Sequence, residues 1–175
     1  FTSPRRLIAA TIGDVRVISA YFPNGSAVGS DKYAFKLDWM QRLRQYLDAE
    51  YTPEQHLVLC GDYNVAPEDR DVHDPAAWEG QVLVSQPERE ALQVIKDWGL
   101  VDTFRQHESG AGFYSWWDYR ASAFRRNQGL RIDHVWASKP LADKCIAAWI
   151  DKIPRTLERP SDHVPVIAEF KVEMA

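Results

Sequence analysis

Asp62 and Asn64, in the segment Gly61-Asp62-Tyr63-Asn64, stand two residues apart just past a short apolar run. Residues two apart share a face of extended backbone, so a carboxylate lies beside an amide donor. Such a pair can share a metal ion or a water while the amide stabilises developing negative charge. The same tetrapeptide suits an Asx-type turn, in which both side chains satisfy backbone amides, equally well. Ser161-Asp162-His163 is a second candidate, directly before the apolar run from Val164 to Phe170. A carboxylate and an imidazole on a strand's leading edge offer a metal ligand and a proton carrier that can face a phosphate. Taken alone, that pair fits a cap with a solvated histidine better.

Asp133, in Arg131-Ile132-Asp133-His134, falls inside an apolar strand pattern, where an ionised carboxylate is costly unless paired. His163 would satisfy it, since a carboxylate accepting one imidazole N–H fixes the tautomer and leaves the other nitrogen for substrate. A salt bridge to Arg131 or Arg120 is the competing partner. The fourth cluster is aromatic and basic: Phe113-Tyr114-Ser115-Trp116-Trp117-Asp118-Tyr119-Arg120, then Arg125 and Arg126. Aromatic faces stack on bases or sugars, and guanidinium groups bind phosphates bidentately. Tryptophans also fill cores, so one of Trp116 and Trp117 is expected to be buried. His56, His73, His107 and His134 show no partner at a recognisable spacing and are read as surface or structural, and the acidic run from Glu68 to Asp74 carries no functional signal.

These groups need elements to hold them. Alternation from Arg5 to Thr11 and from Val15 to Ala20, around Gly13-Asp14, predicts a β-hairpin. Ser30 or Asp31 caps a helix whose core stripe is Phe35, Trp39, Leu43, Tyr46 and Leu47. His56 to Cys60 reads as a buried strand that ends at Gly61. Residues Val65 to Gly80 read as an irregular loop. Ser85 and Glu88 form a capping box for a helix with Leu92, Ile95 and Trp98 on its face, stopped by Gly99. Leu130 to Ala137, Cys145 to Ile150 and Val164 to Val172 read as strands. Alternating strands and helices give an α/β layered fold.

The chain has 175 residues, 45% hydrophobic and 26% charged, with seven each of Trp, Tyr and Phe. That much apolar area excludes disorder, and the length suits one domain. The longest apolar run, Cys145 to Ile150, is far short of the ~20 residues a membrane span needs. A net charge of -4 excludes a general electrostatic grip on nucleic acid, so any polyanion site must be local. Two cysteines without zinc-ligand spacing are expected to be reduced, which points to the cytoplasm.

In order along the chain, Tyr21-Phe22-Pro23-Asn24-Gly25, Gly61-Asp62-Tyr63-Asn64-Val65-Ala66-Pro67, Gly99-Leu100-Val101-Asp102-Thr103-Phe104-Arg105, Trp116-Trp117-Asp118-Tyr119-Arg120, Gly129-Leu130-Arg131-Ile132-Asp133-His134 and Ser161-Asp162-His163-Val164-Pro165-Val166 resemble the exonuclease III family of abasic-site endonucleases, within the endonuclease, exonuclease and phosphatase superfamily. The motifs stand in register across almost the whole chain. The resemblance implies a four-layer α/β/β/α sandwich, with two mixed sheets face to face and helices outside. It also implies Mg2+-dependent cleavage, with Mn2+ as a substitute, of duplex DNA 5' to abasic sites, alongside 3'-5' exonuclease and 3'-phosphatase action on blocked ends.

By motif, the resemblance makes Tyr21 a contact of the scissile phosphate and Asp62 the activator of water or a metal ligand. Asn64 stabilises the transition state and stands in the metal shell with Asp162 and His163, and His163 meets the phosphate while Asp133 orients it. Asn24, Trp116, Arg120, Arg125, Arg126 and Leu130 fall on the DNA-binding side, with Trp116 and Leu130 lining the pocket for the extruded sugar. A nucleotide lacking its base costs less to extrude.

The family's opening strand with its Asn-x-Asn-Gly segment, and a following Gln-Glu-Thr-like segment whose Glu is the principal Mg2+ ligand, have no counterpart in the sequence. The resemblance thus implies that residues 1–175 are the C-terminal two-thirds of a single domain, incomplete at the N-terminus. Such a domain is expected to be monomeric when whole and to self-associate through exposed strand edges in this form. A non-catalytic DNA-binding fragment is the alternative reading. A phosphomonoester or phospholipid headgroup substrate is a third, opposed by the aromatic and arginine segment.

Overall fold

The computed structural model describes residues 6–173. The chain opens on the expected hairpin: β1 (Leu7–Ile12) pairs antiparallel with β2 (Val15–Ala20), and Gly13 takes positive φ in the turn. Arg5, which the alternation assigns to the first strand, lies outside the described residues. Ser30 caps α1 (Asp31–Glu50), its hydroxyl accepting from the Tyr33 N–H at 3.2 Å. The buried stripe of α1 is Tyr33, Lys36, Trp39, Met40, Leu43 and Leu47. Phe35 corrects the expected stripe: it is 46% exposed, because the line 33-36-40-43-47 meets the sheet and residue 35 is rotated away from it.

After α1, β3 (Leu57–Asp62) runs parallel to β2. The segment that follows is irregular apart from a short turn at Asp69–Asp71 and one helical turn, α2 (Pro75–Trp78). The predicted capping box opens α3 (Gln86–Lys96), which buries Leu92 and Ile95. Next come β4 (Leu100–Asp102) and α4 (Thr103–His107), too short to show a period in sequence. The region from 116 to the C-terminal side supplies β5 (Trp116–Trp117), β6 (Gly129–Leu130), β7 (Asp133–Ser138), α5 (Lys139–Ala142), β8 (Cys145–Ile150) and β9 (Val166–Phe170).

The strand expected from Leu130 to Ala137 is therefore two strands. It breaks because Arg131 turns inward, its guanidinium reaching Asp71 at 2.7 Å and Asp102 at 2.7 Å. Burial pushes both carboxyls up, but the charge and hydrogen bonds of Arg131 overcome it and hold them below the ordinary value. This core network, with Arg105 also on Asp71, gives the acidic run its structural member.

The main sheet has the order β1-β2-β3-β7-β4. One face, with Ile18, Leu59 and Trp136, packs under Trp39 and Leu43 of α1 and Leu92 and Ile95 of α3. The other face carries Val17, Val58, Cys60 and Val135 and lies against the β8–β9 pair, with an open apolar cavity of roughly 440 Å3 between them. A helical layer, a sheet and a second sheet are thus in place, and the fold is α/β as expected. Among the described residues that second sheet has two strands, and the long helices α1 and α3 both lie on the far side of the main sheet. Cys60 and Cys145 are free thiols. Among the described residues, no helix is long and apolar enough to cross a membrane.

His134 is a core residue, as its lack of a sequence partner suggested. Its Nε2–H donates to the Val65 carbonyl at 3.0 Å, and burial, then the charge of Arg131, pushes its pKa down to about 4. Between pH 6.5 and about 4 the unfolded chain takes up a proton that the folded chain refuses. Stability must therefore fall with pH across that window, by up to about 3 kcal/mol from this group. Urea unfolding followed from pH 7 to 4 is expected to show His134→Gln with a shallower pH slope, by one proton, than the parent. An unchanged slope rules out the assignment.

Candidate functional site

Asp62 is the last residue of β3, and in the antiparallel register it faces Asp133, the first residue of β7. Two carboxylates directly opposite each other repel unless a cation or donor intervenes. His163 intervenes: its Nδ1–H donates to Asp133 Oδ2 at 2.8 Å, and its Nε2 faces Asp62 Oδ2 at 3.9 Å. The second distance is too long for a hydrogen bond, so Nε2 remains available to a third atom. Asp133 thus has the partner inferred from sequence, while the competing arginines are used elsewhere: Arg131 in the core network, Arg120 on Asp118.

Local structure explains this convergence. A Cβ on Gly61, where φ is +133°, would come within 2.0 Å of the Ala20 carbonyl oxygen, so only glycine lets β3 close on the end of β2 and deliver Asp62 beside Tyr21. Tyr63 then points into the core against Phe22, and Asn64 closes an Asx turn with its N–H on Asp62 Oδ1 at 2.8 Å. The turn uses one oxygen of Asp62 and leaves the other facing His163. Ser115 fixes the opposite side: its Oγ accepts the N–H groups of Ile132 and Asp133, both at 3.0 Å, and its carbonyl accepts from Val164. A Cβ on Gly129 would strike Trp116 and Trp117, so that glycine permits the tight β5–β6 contact next to the site.

Burial, then the neighbouring Asp133 carboxylate, pushes Asp62 up to about 7, against the pull of His163, the Asn64 N–H and Lys36. Burial pulls the His163 imidazole down, but the hydrogen bond and charge of Asp133, with the charges of Asp62 and Asp162, more than offset it and lift it to about 8. Near neutrality the site therefore holds a carboxyl poised between its two forms beside a protonated imidazole.

Donor atoms of Asp62, Asp133 and His163 lie within 4.8 Å of one another, a group that could hold a metal ion. With Asp133 Oδ2 and His163 Nδ1 satisfied by each other and Asp62 Oδ1 on the Asn64 N–H, Asp62 Oδ2 is an oxygen left to bind a hard ion. The expected metal shell is corrected in two places. Asp162 has one oxygen engaged, its Oδ2 accepting from Trp116 Nε1 at 3.0 Å. Asn64, only 4% exposed, gives Nδ2–H to the Phe22 carbonyl at 2.9 Å, and its Oδ1 accepts from Asn24 Nδ2 at 3.4 Å.

Around this centre, Tyr21 is 52% exposed, with the Arg6 guanidinium 4.9 Å from its ring centre. A cavity of roughly 500 Å3 runs from Asp62 past Tyr21 to Arg6. A cavity of similar size under Trp78 and Arg89 contains no such acid-base pair, so chemistry rather than volume selects the site. Trp116 is half-buried and forms a bridge to His163, while Trp117 is the buried member of the pair. Arg120, Arg125 and Arg126 are exposed. Leu130 is corrected: at 0% exposure it packs with Val72, Leu83 and Ile132 behind Trp116 and lines no open pocket. The sequence reading missed Ser115 and Arg6; an alcohol amid the aromatic run was the one signal for the former.

A model of the Endonuclease/Exonuclease/phosphatase family matches residues 2–163. Exodeoxyribonuclease III of Haemophilus influenzae is 36% identical, over 95% of this chain and 67% of its own length. Among solved structures, a 3' phosphatase from Neisseria bound to a product DNA hairpin superposes with a TM-score of 0.92 at 41% identity, over 98% of this chain and 67% of that one. An AP endonuclease from Archaeoglobus fulgidus superposes with a TM-score of 0.91 at 39% identity, over 95% of this chain and 65% of that one. The chain thus spans about two-thirds of the length of these proteins.

Proposed function

The chain belongs to the Endonuclease/Exonuclease/phosphatase family, and on that premise we propose that it serves as a DNA-repair phosphodiesterase, cutting duplex DNA 5' to abasic sites and trimming blocked 3' ends. The observation that carries this reading is the imidazole of His163, hydrogen-bonded to Asp133 and facing Asp62, at an open sheet end flanked by Trp116 and Tyr21. A bound Mg2+, or Mn2+ in its place, would offset charge on the phosphoryl oxygens. Asp62 has the free oxygen to hold it, and it is also placed to take a proton from water. The imidazolium of His163 donates from Nε2 to a phosphoryl oxygen, and Asp133 keeps that nitrogen protonated and aimed. Tyr21 offers a hydroxyl to the same phosphate. Trp116 supplies a face for a sugar, with Arg120, Arg125, Arg126 and Asn24 along the DNA track.

On the same reading, residues 1–175 are the later two-thirds of one catalytic domain, supported by the share of each relative that they cover. The whole enzyme would be a cytoplasmic monomer. The open apolar cavity beside β9 favours self-association of this chain.

Two duplexes test the proposal, one with an internal abasic analogue and one ending in a 3' phosphate. Each is incubated with Mg2+ and then with chelator. Cleavage of both, reduced at least about a hundredfold by chelator, is the expected result. Trimming of the 3' end alone removes abasic incision from the assignment. Binding without cleavage of either duplex assigns the chain to DNA binding only.

A further inference from the structure

Directly beneath the site lies a charged pair that the hydrolytic chemistry does not use. Lys36 of α1 and Glu88 of α3 are both 0% exposed and meet at 2.5 Å. The Lys36 ammonium also donates to the backbone carbonyls of Asn64 at 2.6 Å and Asn24 at 3.2 Å. All three of its protons are therefore spent, one of them on the carbonyl of Asn64, whose N–H holds Asp62 Oδ1. Glu88 is fixed in turn by the N–H groups of Leu83 at 3.1 Å and Ser85 at 3.2 Å, and by the Ser85 hydroxyl. There is no slack around the stem, since a Cβ on Gly25 would lie 3.1 Å from Lys36 Cδ.

Stability alone does not account for such a pair, because burying two charges costs about as much as their attraction returns. What the pair does is join three chain segments at one point. Asn64 sits at φ +50°, a left-handed conformation that persists in a non-glycine residue only when its surroundings hold it. The Asn24 and Asn64 side-chain amides also touch at 3.4 Å, which ties the two clamped segments together.

We propose that Lys36 is a positioning residue for phosphodiester cleavage: anchored by Glu88, its ammonium clamps the carbonyls of Asn24 and Asn64 and thereby holds the turn in which the Asn64 N–H, 2.8 Å from Asp62 Oδ1, orients the Asp62 carboxylate. The inference rests on the hydrolase reading for its catalytic readout, but its geometric half can be measured without turnover.

The test compares the 175-residue chain with Lys36→Met and with the double substitution Lys36→Met/Glu88→Gln, which removes both charges at similar volume. Urea midpoints, kcat and KM on the abasic duplex with Mg2+, and the backbone N–H resonance of Asn64 are recorded for each. The single variant is expected to lose stability by leaving Glu88 unpaired, and the double to regain most of the parent's midpoint. In the double variant kcat stays down by about thirty- to a hundredfold, the scale of a misplacement near 1 Å, while KM moves less than about threefold. The Asn64 N–H resonance shifts or broadens in that same variant. A double variant that regains both midpoint and kcat shows a purely structural pair and overturns the proposal. So does an unchanged Asn64 N–H resonance, whether or not the chain cleaves. Absence of cleavage by the parent chain refutes the hydrolase reading instead and leaves that resonance to decide the clamp.

Discussion

Asp62→Asn is expected to lower kcat on an abasic duplex by about a thousandfold or more while changing DNA affinity by less than a few-fold. The substitution keeps the shape of the side chain and can keep the Asx turn, since an amide oxygen still accepts the Asn64 N–H. It removes the negative charge proposed to bind a cation and the carboxylate oxygen that faces the His163 Nε2. An interaction present only when charge develops is lost from kcat and not from binding. The parent's rate should also fall as pH drops below about 7, because Asp62, pushed up to about 7, is then protonated. Cation binding opposes that protonation, so raising the Mg2+ concentration should move the acid limb to lower pH. Fluorescence anisotropy with a labelled duplex and steady-state cleavage, measured together, decide the matter. A large affinity loss with kcat little changed assigns Asp62 to binding.

What the sequence made legible follows a physical pattern. The Asp133–His163 pair could be inferred because a carboxylate in an apolar strand demands a partner, and only a few residues could answer. The helices were readable from Ser30, from Ser85 with Glu88, and from helical periodicity. Phe35 was misplaced because two apolar lines on α1 are close in angle, and the choice between them is made by the sheet beneath. Arg131 was visible as a charge but not as a core group, since its partners Asp71 and Asp102 lie 60 and 29 positions away. Lys36 left a usable trace: a cation falling on the stripe Tyr33, Met40, Leu43, Leu47 must either snorkel or be paired, and its partner lies 52 positions on. Asp162 was placed in the metal shell by the family resemblance; in the structure it accepts from Trp116 Nε1 while His163 faces Asp133.

The role of Asp133 can be separated from that of a metal ligand by a cycle with His163. His163→Ala is expected to reduce kcat by about a hundred- to a thousandfold, the range for losing one donor on a developing oxyanion. Asp133→Asn should cost less, and it should change the pH profile in a defined direction. The Asp133 hydrogen bond and charge are the leading causes that lift His163 to about 8 from its ordinary 6.5. Without them the imidazole loses its proton at lower pH, so the alkaline limb of the rate moves down from about 8 toward 6.5. If Asp133 acts only through His163, the double variant Asp133→Asn/His163→Ala is no slower than His163→Ala alone, and the two effects are strongly non-additive. An Asp133 that bound the cation directly would still matter when the imidazole was gone. A further tenfold loss in the double variant, recovered by added Mn2+, would therefore replace the orienting role with ligation. The 2.8 Å contact from Nδ1 to Oδ2, set against the 3.9 Å gap from Nε2 to Asp62, favours the first outcome, because it ties Asp133 Oδ2 to the ring it orients.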